Sequence, residues 1–293
     1  MLVKELLFEG KRILTLNGNV SPALDAALLL SEISALSREE LITHNDHELD
    51  IEQCRCFFEF IERRCKGESI AYILGRKEFR GLEFSVTPDV LVPRPETEIL
   101  VDIACAIICS ISSGNSFPYL SVLDLCTGSG AVAIALKHEH PFLDVFASDI
   151  SEKALDVARK NAETLGAKIT FFEGDLFDAI NKHGNVKEES RFFLITANAP
   201  YIPSKEIPFL SAEVRLEPRR ALDGGTDGLE IIRRIISGSP RYLKPGGYLA
   251  LEADPSQMDT IVMLLKDSGF SEPALYKDLA GNNRVISAVI DKV

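Results

Sequence analysis

Short apolar runs alternate with amphipathic stretches over the last two thirds of the chain. The clearest run, residues 120–125, stops at a loop of small residues, 126–130, and a helix-like apolar run follows from Ala131. A short apolar run bounded by glycines is typical of a buried parallel strand, and such a loop is typical of a strand-to-helix turn. The alternation continues to the C-terminal part of the chain. It predicts an α/β fold in which helices cover both faces of a parallel sheet.

The first 75 residues show helical patterns only. Helix starts are predicted where a capping residue precedes proline or begins a capping box, at Ser21-Pro22, Ser37 and Asp50. The period then changes around Arg80-Gly81, where the apolar residues Phe79, Leu82 and Phe84 indicate a β-hairpin. The sequence therefore predicts a helical domain (1–75), a hairpin linker (76–93) and an α/β domain (94–293). A helix start is predicted at Pro95.

The loop of residues 126–130 is a candidate ligand site. Glycines let the backbone approach a ligand, and the helix that follows points its amide groups at it. The next strand pattern ends in Asp149, about 20 residues beyond the loop, the spacing at which a carboxylate meets a ribose hydroxyl. The loop lacks the Gly-x-Gly-x-x-Gly of dinucleotide enzymes and carries Asp124 before it. An acidic surface turn is the alternative interpretation.

The fourth strand pattern ends in Asn198-Ala199-Pro200-Tyr201, the stretch that best indicates a reaction type. An amide nitrogen is a poor nucleophile because its lone pair is delocalised. Acceptors for its two hydrogens favour a pyramidal nitrogen and stabilise the developing positive charge. The Asn198 side-chain oxygen and a backbone carbonyl can supply these acceptors, and Tyr201 can pack against the flat substrate group. The alternative interpretation is that these residues form only a turn after the strand.

Over almost its whole length the chain resembles the release-factor glutamine methyltransferases. The matching stretches are Tyr72-Ile73-Leu74-Gly75, Glu78-Phe79-x-Gly81-Leu82, Val92-Pro93-Arg94-Pro95-Glu96-Thr97-Glu98, Asp124-Leu125-Cys126-Thr127-Gly128-Ser129-Gly130, Asn198-Ala199-Pro200-Tyr201-Ile202-Pro203, residues 217–228 and Lys244-Pro245-Gly246-Gly247. Residues 93–98 and 217–228 are narrower signatures than the loop, which related methyltransferases share.

The resemblance implies a Rossmann-like domain that transfers a methyl group from S-adenosylmethionine to the side-chain amide nitrogen (N5) of a glutamine in bacterial class I peptide release factors. S-adenosylhomocysteine would be the other product. No metal is expected, and the helical domain would help to grip the release factor. The resemblance places cofactor binding on Cys126, Thr127, Gly128, Ser129, Gly130, Asp149, Leu176 and Asn198. It places substrate binding on Asn198, Ala199, Pro200 and Tyr201, and catalysis on Asn198, Pro200 and Tyr201.

The chain departs from the family pattern at three of these positions. The family usually has glycine where Cys126 stands, and proline where Ala199 stands. It often has an aromatic residue at the position of Leu176, so aliphatic contact would replace stacking on the adenine ring.

Composition limits the alternatives. The formal net charge of −12 argues against binding to a phosphate backbone, so no direct nucleic-acid partner is expected. No apolar run reaches the length of a membrane span, and the six cysteines lack Cys-x-x-Cys spacing, which favours a cytoplasmic protein with free thiols. Three rival functions remain: methylation of a ribosomal-protein glutamine, methylation of an adenine amino group in nucleic acid, and ligand binding without catalysis.

Overall fold

The computed structural model describes residues 1–114, 120–182 and 192–290. Its helices are α1 Val3–Leu16, α2 Pro22–Ser34, α3 Arg38–Thr43, α4 Ile51–Cys65, α5 Ile70–Leu74, α6 Thr97–Gly114, α7 Ala131–Glu139, α8 Glu152–Thr164, α9 Asp178–Lys182, α10 Ala212–Arg215, α11 Arg219–Leu222, α12 Glu230–Gly238 and α13 Met258–Asp267. Its strands are β1 Arg76–Phe79, β2 Leu82–Ser85, β3 Ser121–Leu125, β4 Asp144–Asp149, β5 Ile169–Glu173, β6 Phe192–Ala197, β7 Leu243–Glu252, β8 Phe270–Lys277 and β9 Asn283–Ile290. Among these described helices, none is both long and apolar enough to cross a bilayer.

The chain divides into two units. The first contains Met1–Arg76 together with Ser211–Leu216, and the second contains Lys77–Leu210 and Glu217–Val293. The short segment that carries α10 thus belongs to the helical unit, although it lies far along the chain. Within that unit Arg64 is buried, and its Nε donates to Asp25 Oδ2 at 2.7 Å, while its guanidinium also pairs with Glu213 of α10. These two carboxylates balance a charge that would be costly to bury alone.

Two of the three helix caps that the sequence predicts in the first unit are confirmed. Ser37 accepts a hydrogen bond from Glu40 N and Asp50 accepts one from Gln53 N, which confirms both capping boxes. Pro22 is the first residue of α2, as predicted, but the Ser21 side chain forms no cap hydrogen bond, so its predicted capping role is wrong. With ψ of 51°, Ser21 lacks the extended backbone that aims a capping oxygen at the helix amides.

Strands β1 and β2 form the predicted hairpin. Its two loop residues, Arg80 and Gly81, have φ of 52° and 74°, the left-handed values of a type I′ turn. Phe79 and Phe84 pack edge to face, with ring centroids 6.0 Å apart, and are buried in a core cluster of the second unit.

The second unit is built on a seven-stranded sheet with the order β5-β4-β3-β6-β7-β9-β8. The prediction of a parallel sheet is right for β3 to β7 and wrong for the last two strands, which pair antiparallel at one edge. The short turn between β8 and β9, around Gly281, cannot carry the crossover that parallel neighbours require. Two buried clusters lie on the sheet, one with side chains of α6 and α7 and the other with side chains of α12 and α13.

Helix α6 begins at Thr97 rather than at Pro95, because Pro95 and Glu96 form a turn that leads into it. This difference matters for the site. It places Thr97, whose hydroxyl contacts the Asn198 side chain, at the first position of the helix.

Candidate active site

A cavity of about 460 Å³ opens beside the carboxyl ends of β3, β4 and β6. The ends of parallel strands lie at one edge of a sheet, so the loops that follow them converge there. Residues from both predicted groups line the cavity: Cys126, Thr127, Gly128, Ser129, Asp149, Leu176, Asn198 and Pro200. Of the described residues predicted for the site, Gly130, Ala199 and Tyr201 lie outside this lining. Gly130 instead precedes α7 as its N-cap, and Ala199 is buried in a core cluster.

Asp124 holds the loop of residues 126–130 in position. Its side chain is buried at the end of β3, where Oδ2 accepts from Thr127 Oγ1 at 2.6 Å and Oδ1 accepts from Thr196 Oγ1 at 2.8 Å. Burial raises the pKa of this carboxyl to about 6, although the two hydroxyls act in the opposite direction. The carboxyl thus ties the loop to β6 across the sheet.

Cys126 occupies a backbone conformation that favours glycine. Its φ is 56°, in the left-handed region, where a side chain costs about 1–2 kcal/mol. Burial raises the pKa of its thiol, and the carboxylates of Asp149 and Asp124 raise it further. The thiol therefore stays protonated at neutral pH and is a packing group, since the thiolate is the nucleophilic form.

Asp149 fixes the same loop from the neighbouring strand. Its two carboxylate oxygens accept hydrogen bonds from Gly128 N and Ser151 N, each at 2.9 Å. Burial raises the pKa of this carboxyl, and the two backbone donors partly oppose that effect. Each oxygen keeps a further lone pair with which it can accept from a ligand hydroxyl. Asp149 is therefore both a structural acceptor and a candidate ligand contact.

Asn161 is a supporting residue that sequence reasoning missed. From α8, its Nδ2 donates to Ser129 O and to Ser85 O, both at 3.0 Å, and its Oδ1 accepts from Ser85 N at 2.8 Å. The side chain is buried, and it joins the end of the hairpin to the small-residue loop. No local pattern marks it, because its partners lie far away in the sequence.

Leu176 lines the cavity from the loop after β5. Its φ is 50°, and its side chain is 7% exposed. The neighbouring Asp175 forms an ion pair with Arg234 at 2.8 Å. An aliphatic surface thus stands where the family pattern often has an aromatic ring.

The Asn198 side chain is held by a residue that sequence reasoning treated only as part of a helix start. Asn198 Nδ2 donates to Thr97 Oγ1 at 2.9 Å. Thr97 is buried at the first turn of α6 and also lines the cavity. The narrow family signature at residues 93–98 could have pointed to Thr97, because a helix start alone does not explain that signature.

The second narrow signature, residues 217–228, lies against the backbone of the Asn198 loop. It contains the short helix α11. Backbone hydrogen bonds join Ile202 N to Leu222 O at 3.0 Å and Gly224 N to Ile202 O at 2.9 Å. A Cβ on Gly228 would lie 2.2 Å from Tyr201 O, so only glycine allows this approach.

Two side chains complete the support of that loop. Gln257 Nε2 donates to Tyr201 O at 2.9 Å. Arg94, from the first narrow signature, pairs at 2.7 Å with the buried Glu217 of the second. Both signatures therefore position the loop that carries Asn198.

Tyr201 faces a buried carboxyl group. Its hydroxyl forms a long hydrogen bond of 3.5 Å to Glu252 Oε1, at the end of β7. Burial raises the pKa of Glu252 to about 7, whereas hydrogen bonding by Thr97, the charge of Arg284 and the Tyr201 hydroxyl lower it. Burial also raises the pKa of the Tyr201 phenol, so Tyr201 remains neutral at physiological pH.

The residues present fit S-adenosylmethionine. The cavity volume lies within the range of about 300–1,000 Å³ that is typical of small-molecule sites. Asp149 offers acceptor capacity for ribose hydroxyls, and Leu176 offers an apolar surface for a flat ring. Among the described residues, no group of three or more His, Cys, Asp or Glu side chains is arranged to hold a metal ion.

The strand order, the small-residue loop after β3 and the acidic residue at the end of β4 define a Rossmann-like methyltransferase domain. Residues 122–215 match the family described as methyltransferase domain, and residues 5–75 match the PrmC N-terminal domain. A solved methyltransferase from Pyrococcus furiosus shares the fold, with a TM-score of 0.51 and 18% identity over 78% of this chain and 98% of that one.

Closer relatives identify the family. The release factor glutamine methyltransferase of Geobacter sulfurreducens is 37% identical over 98% of this chain and 96% of its own length. That of Burkholderia pseudomallei is 40% identical over 89% and 90% of the two chains. The chain belongs to the release factor glutamine methyltransferase family.

Proposed function

We propose that this protein methylates the side-chain amide nitrogen of a glutamine in bacterial class I peptide release factors, with S-adenosylmethionine as the methyl donor. The observation that carries the proposal is the shared cavity. Asp149 and the small-residue loop line it together with Asn198 and Pro200. A ligand loop and an amide-binding loop therefore face the same space.

S-adenosylmethionine supplies, when bound, a methyl group whose bond to positively charged sulfur breaks as the nitrogen–carbon bond forms, leaving S-adenosylhomocysteine and releasing one amide proton to water. The chain would contribute position and charge stabilisation. Asn198 Oδ1 and a backbone carbonyl at residue 199 would accept the two hydrogens of the substrate amide. These acceptors would stabilise positive charge as it develops on nitrogen. Tyr201 would pack against the flat amide.

The cofactor would be held by the loop from Cys126 to Gly130, by Asp149 and by Leu176. Asp149 would accept from ribose hydroxyls with the lone pairs that Gly128 and Ser151 do not use. The helical domain, residues 1–75, would bind the release factor, and residues 76–93 would link it to the methyltransferase domain. No direct contact with nucleic acid is needed for this reaction.

The direct test is methyl transfer to purified substrates. The protein is incubated with labelled S-adenosylmethionine and, separately, with a class I release factor, ribosomal proteins or DNA. We expect label in the release factor alone, with mass spectrometry placing one methyl group on a glutamine side chain. Label in a ribosomal protein or in DNA, and none in the release factor, would assign one of the rival activities.

A site variant links that activity to the cavity. Asn198→Ala should lower turnover by roughly 10²–10³-fold, the usual loss when a preorganised acceptor is removed. Circular dichroism controls for folding. Near-normal turnover in a folded Asn198→Ala protein contradicts the assigned role of Asn198.

A further inference from the structure

The carbonyl of Tyr201 lies at a junction of three segments of the chain. Gln257 Nε2 donates to it at 2.9 Å, and a Cβ on Gly228 would lie 2.2 Å from it. The same Cβ would lie 2.5 Å from Gln257 Nε2. A side chain at residue 228 would therefore displace one partner of this hydrogen bond or the other. The glycine leaves room for the bond as a whole, and not only for the carbonyl.

The orientation of the Gln257 amide follows from its partners. Its Oε1 accepts from Asp254 N at 3.2 Å, a contact that only the oxygen of the amide can make. Its Nε2 faces two carbonyl oxygens, Tyr201 O at 2.9 Å and Asp227 O at 3.4 Å, and only a donor can bind these. All three contacts agree on one orientation. The residue is 7% exposed, so the loss of this donor would leave a poorly hydrated carbonyl without its partner.

Gln257 stands on a rigid base. It ends a short 3₁₀ helix, Pro255–Gln257, which leads directly into α13, and it forms a capping box with Asp254. Strand β7, which is paired on both sides, ends two residues before Asp254. The donor is thus carried by the end of an inner strand and the start of a helix. Groups held by such elements are placed more precisely than groups held by loops.

The peptide between Tyr201 and Ile202 is held on both of its edges. In a trans peptide the C=O and the N–H point in opposite directions. Gln257 binds the Tyr201 carbonyl on one edge, and Leu222 O accepts from Ile202 N at 3.0 Å on the other. The peptide plane therefore cannot rotate without breaking one of these bonds. Because this plane adjoins the Tyr201 Cα, it also sets the direction of the phenol ring.

We propose that Gln257 is a positioning residue, which holds the peptide after Tyr201 so that the loop from Asn198 to Tyr201 keeps the geometry that binds the substrate amide. Gly228 serves the same contact by leaving room for it. The inference rests on the proposed function, since it concerns how the substrate-binding loop is held. Gln257 is not among the residues that line the cavity, so it should affect methyl transfer and leave cofactor binding unchanged.

The first test removes the donor. Gln257→Met keeps the length of the side chain and abolishes its hydrogen bonds, and Gln257→Ala, made in parallel, removes the same donor with a residue that suits a helix start. Each should lower kcat with the release factor by roughly 10–100-fold, since a misplacement of about 1 Å costs up to roughly 10²-fold. The Kd for S-adenosylmethionine, measured by calorimetry, should stay at the wild-type value. Wild-type kcat in a folded variant would overturn the inference, and so would an equal loss of cofactor affinity.

Gln53 offers a matched control. It too is the glutamine of a capping box, with Oε1 accepting from Asp50 N at 3.1 Å and Nε2 donating to Ile33 O at 3.3 Å. Gln53→Met therefore removes the same kinds of hydrogen bond from a helix start that carries no predicted site residue. It should lower the Tm about as much as Gln257→Met does and leave kcat unchanged. Equal losses of kcat in the two variants would show a general effect of stability and contradict the role of Gln257.

A double variant tests whether Gly228 and Gln257 act on one contact. Gly228→Ala should lower kcat by a smaller factor in the Gln257→Met background than in the wild type, because the carbonyl is then no longer held where the Cβ would meet it. Equal factors in the two backgrounds would mean that the residues act independently, against the inference.

The wild-type protein separates this inference from the proposed function. If the wild type transfers no methyl group to the release factor, the proposed function fails and the inference fails with it. If the wild type is active and Gln257→Met keeps its kcat, only the role of Gln257 fails.

Discussion

Replacement of Asp124 by asparagine tests the electrostatics beneath the small-residue loop. Burial raises the pKa of Asp124 from 3.8 to about 6, so the folded protein binds this proton more tightly than the unfolded chain does. Between those two values the folded state carries more protons, and the free energy of unfolding falls as pH rises. A tenfold change in proton affinity corresponds to about 1.4 kcal/mol, so above pH 7 this titration lowers the free energy of unfolding by roughly 3 kcal/mol.

Asp124→Asn removes the titration and preserves the shape. The amide can accept from one of the hydroxyls of Thr127 and Thr196 and donate to the other. We expect the variant to be more stable than the wild type by up to about 3 kcal/mol at pH 7.5, with the difference shrinking toward about 1 kcal/mol near pH 4.5. Other titrating groups are common to both proteins and cancel in the difference.

Urea unfolding, followed by circular dichroism from pH 4.5 to 8, measures this difference. Thr196→Val serves as a control with the opposite sign. It removes a donor that stabilises the carboxylate, so its stability should fall more steeply with pH than that of the wild type. A difference between the wild type and Asp124→Asn that stays constant across the range would refute the reasoning.

Three further predictions concern the loops around the cavity. Asp149→Ala should weaken the binding of S-adenosylmethionine, measured by calorimetry. It should also lower the Tm, because Gly128 N and Ser151 N lose their acceptor. Unchanged affinity would mean that Asp149 has only a structural role. Pro200→Ala should reduce turnover more than Ala199→Pro does, because the ring of Pro200 restricts ψ of residue 199 and so sets the direction of its carbonyl. A larger loss of turnover in Ala199→Pro would exclude that carbonyl as an acceptor. Gly228→Ala should destabilise the protein and lower turnover, because the added Cβ would meet Tyr201 O. Gly281→Ala is the control: its φ of 86° is similar and the space around it is open, so it should show only the backbone strain. Equal effects of the two substitutions on the free energy of unfolding would argue against the close contact.

The ligand loop and the catalytic loop could be found in the sequence because each is a local pattern. The loop from Cys126 to Gly130 follows a short apolar run, and Asp149 stands at a characteristic distance beyond it. Asn198 and Pro200 follow the next strand of the site. Each of these residues lies at or just after the end of a strand, and the parallel sheet brings the strand ends to one edge.

The supporting residues could not be found in the same way. Thr97, Asn161 and Gln257 act on groups that are remote in sequence, and hydrogen bonds of this kind leave no periodic trace. Spacing alone also assigned Asp149 only a ligand contact, whereas its bonds to two backbone amides make it part of the apo structure. The antiparallel edge was missed because strand direction depends on the length of a connection rather than on its apolar pattern.

The membership of Ser211–Leu216 in the helical unit has a consequence for biosynthesis. During translation, residues 1–76 leave the ribosome long before Glu213 is made, and N-terminal domains generally begin to fold first. Arg64 already has Asp25 as a partner within that early segment, so its charge is balanced while the chain is incomplete. Glu213 can then join a preformed pair. The nascent helical unit would therefore acquire its last helix only when much of the second unit had emerged, and a peptide of residues 1–76 should fold with lower stability than the same unit in the whole chain.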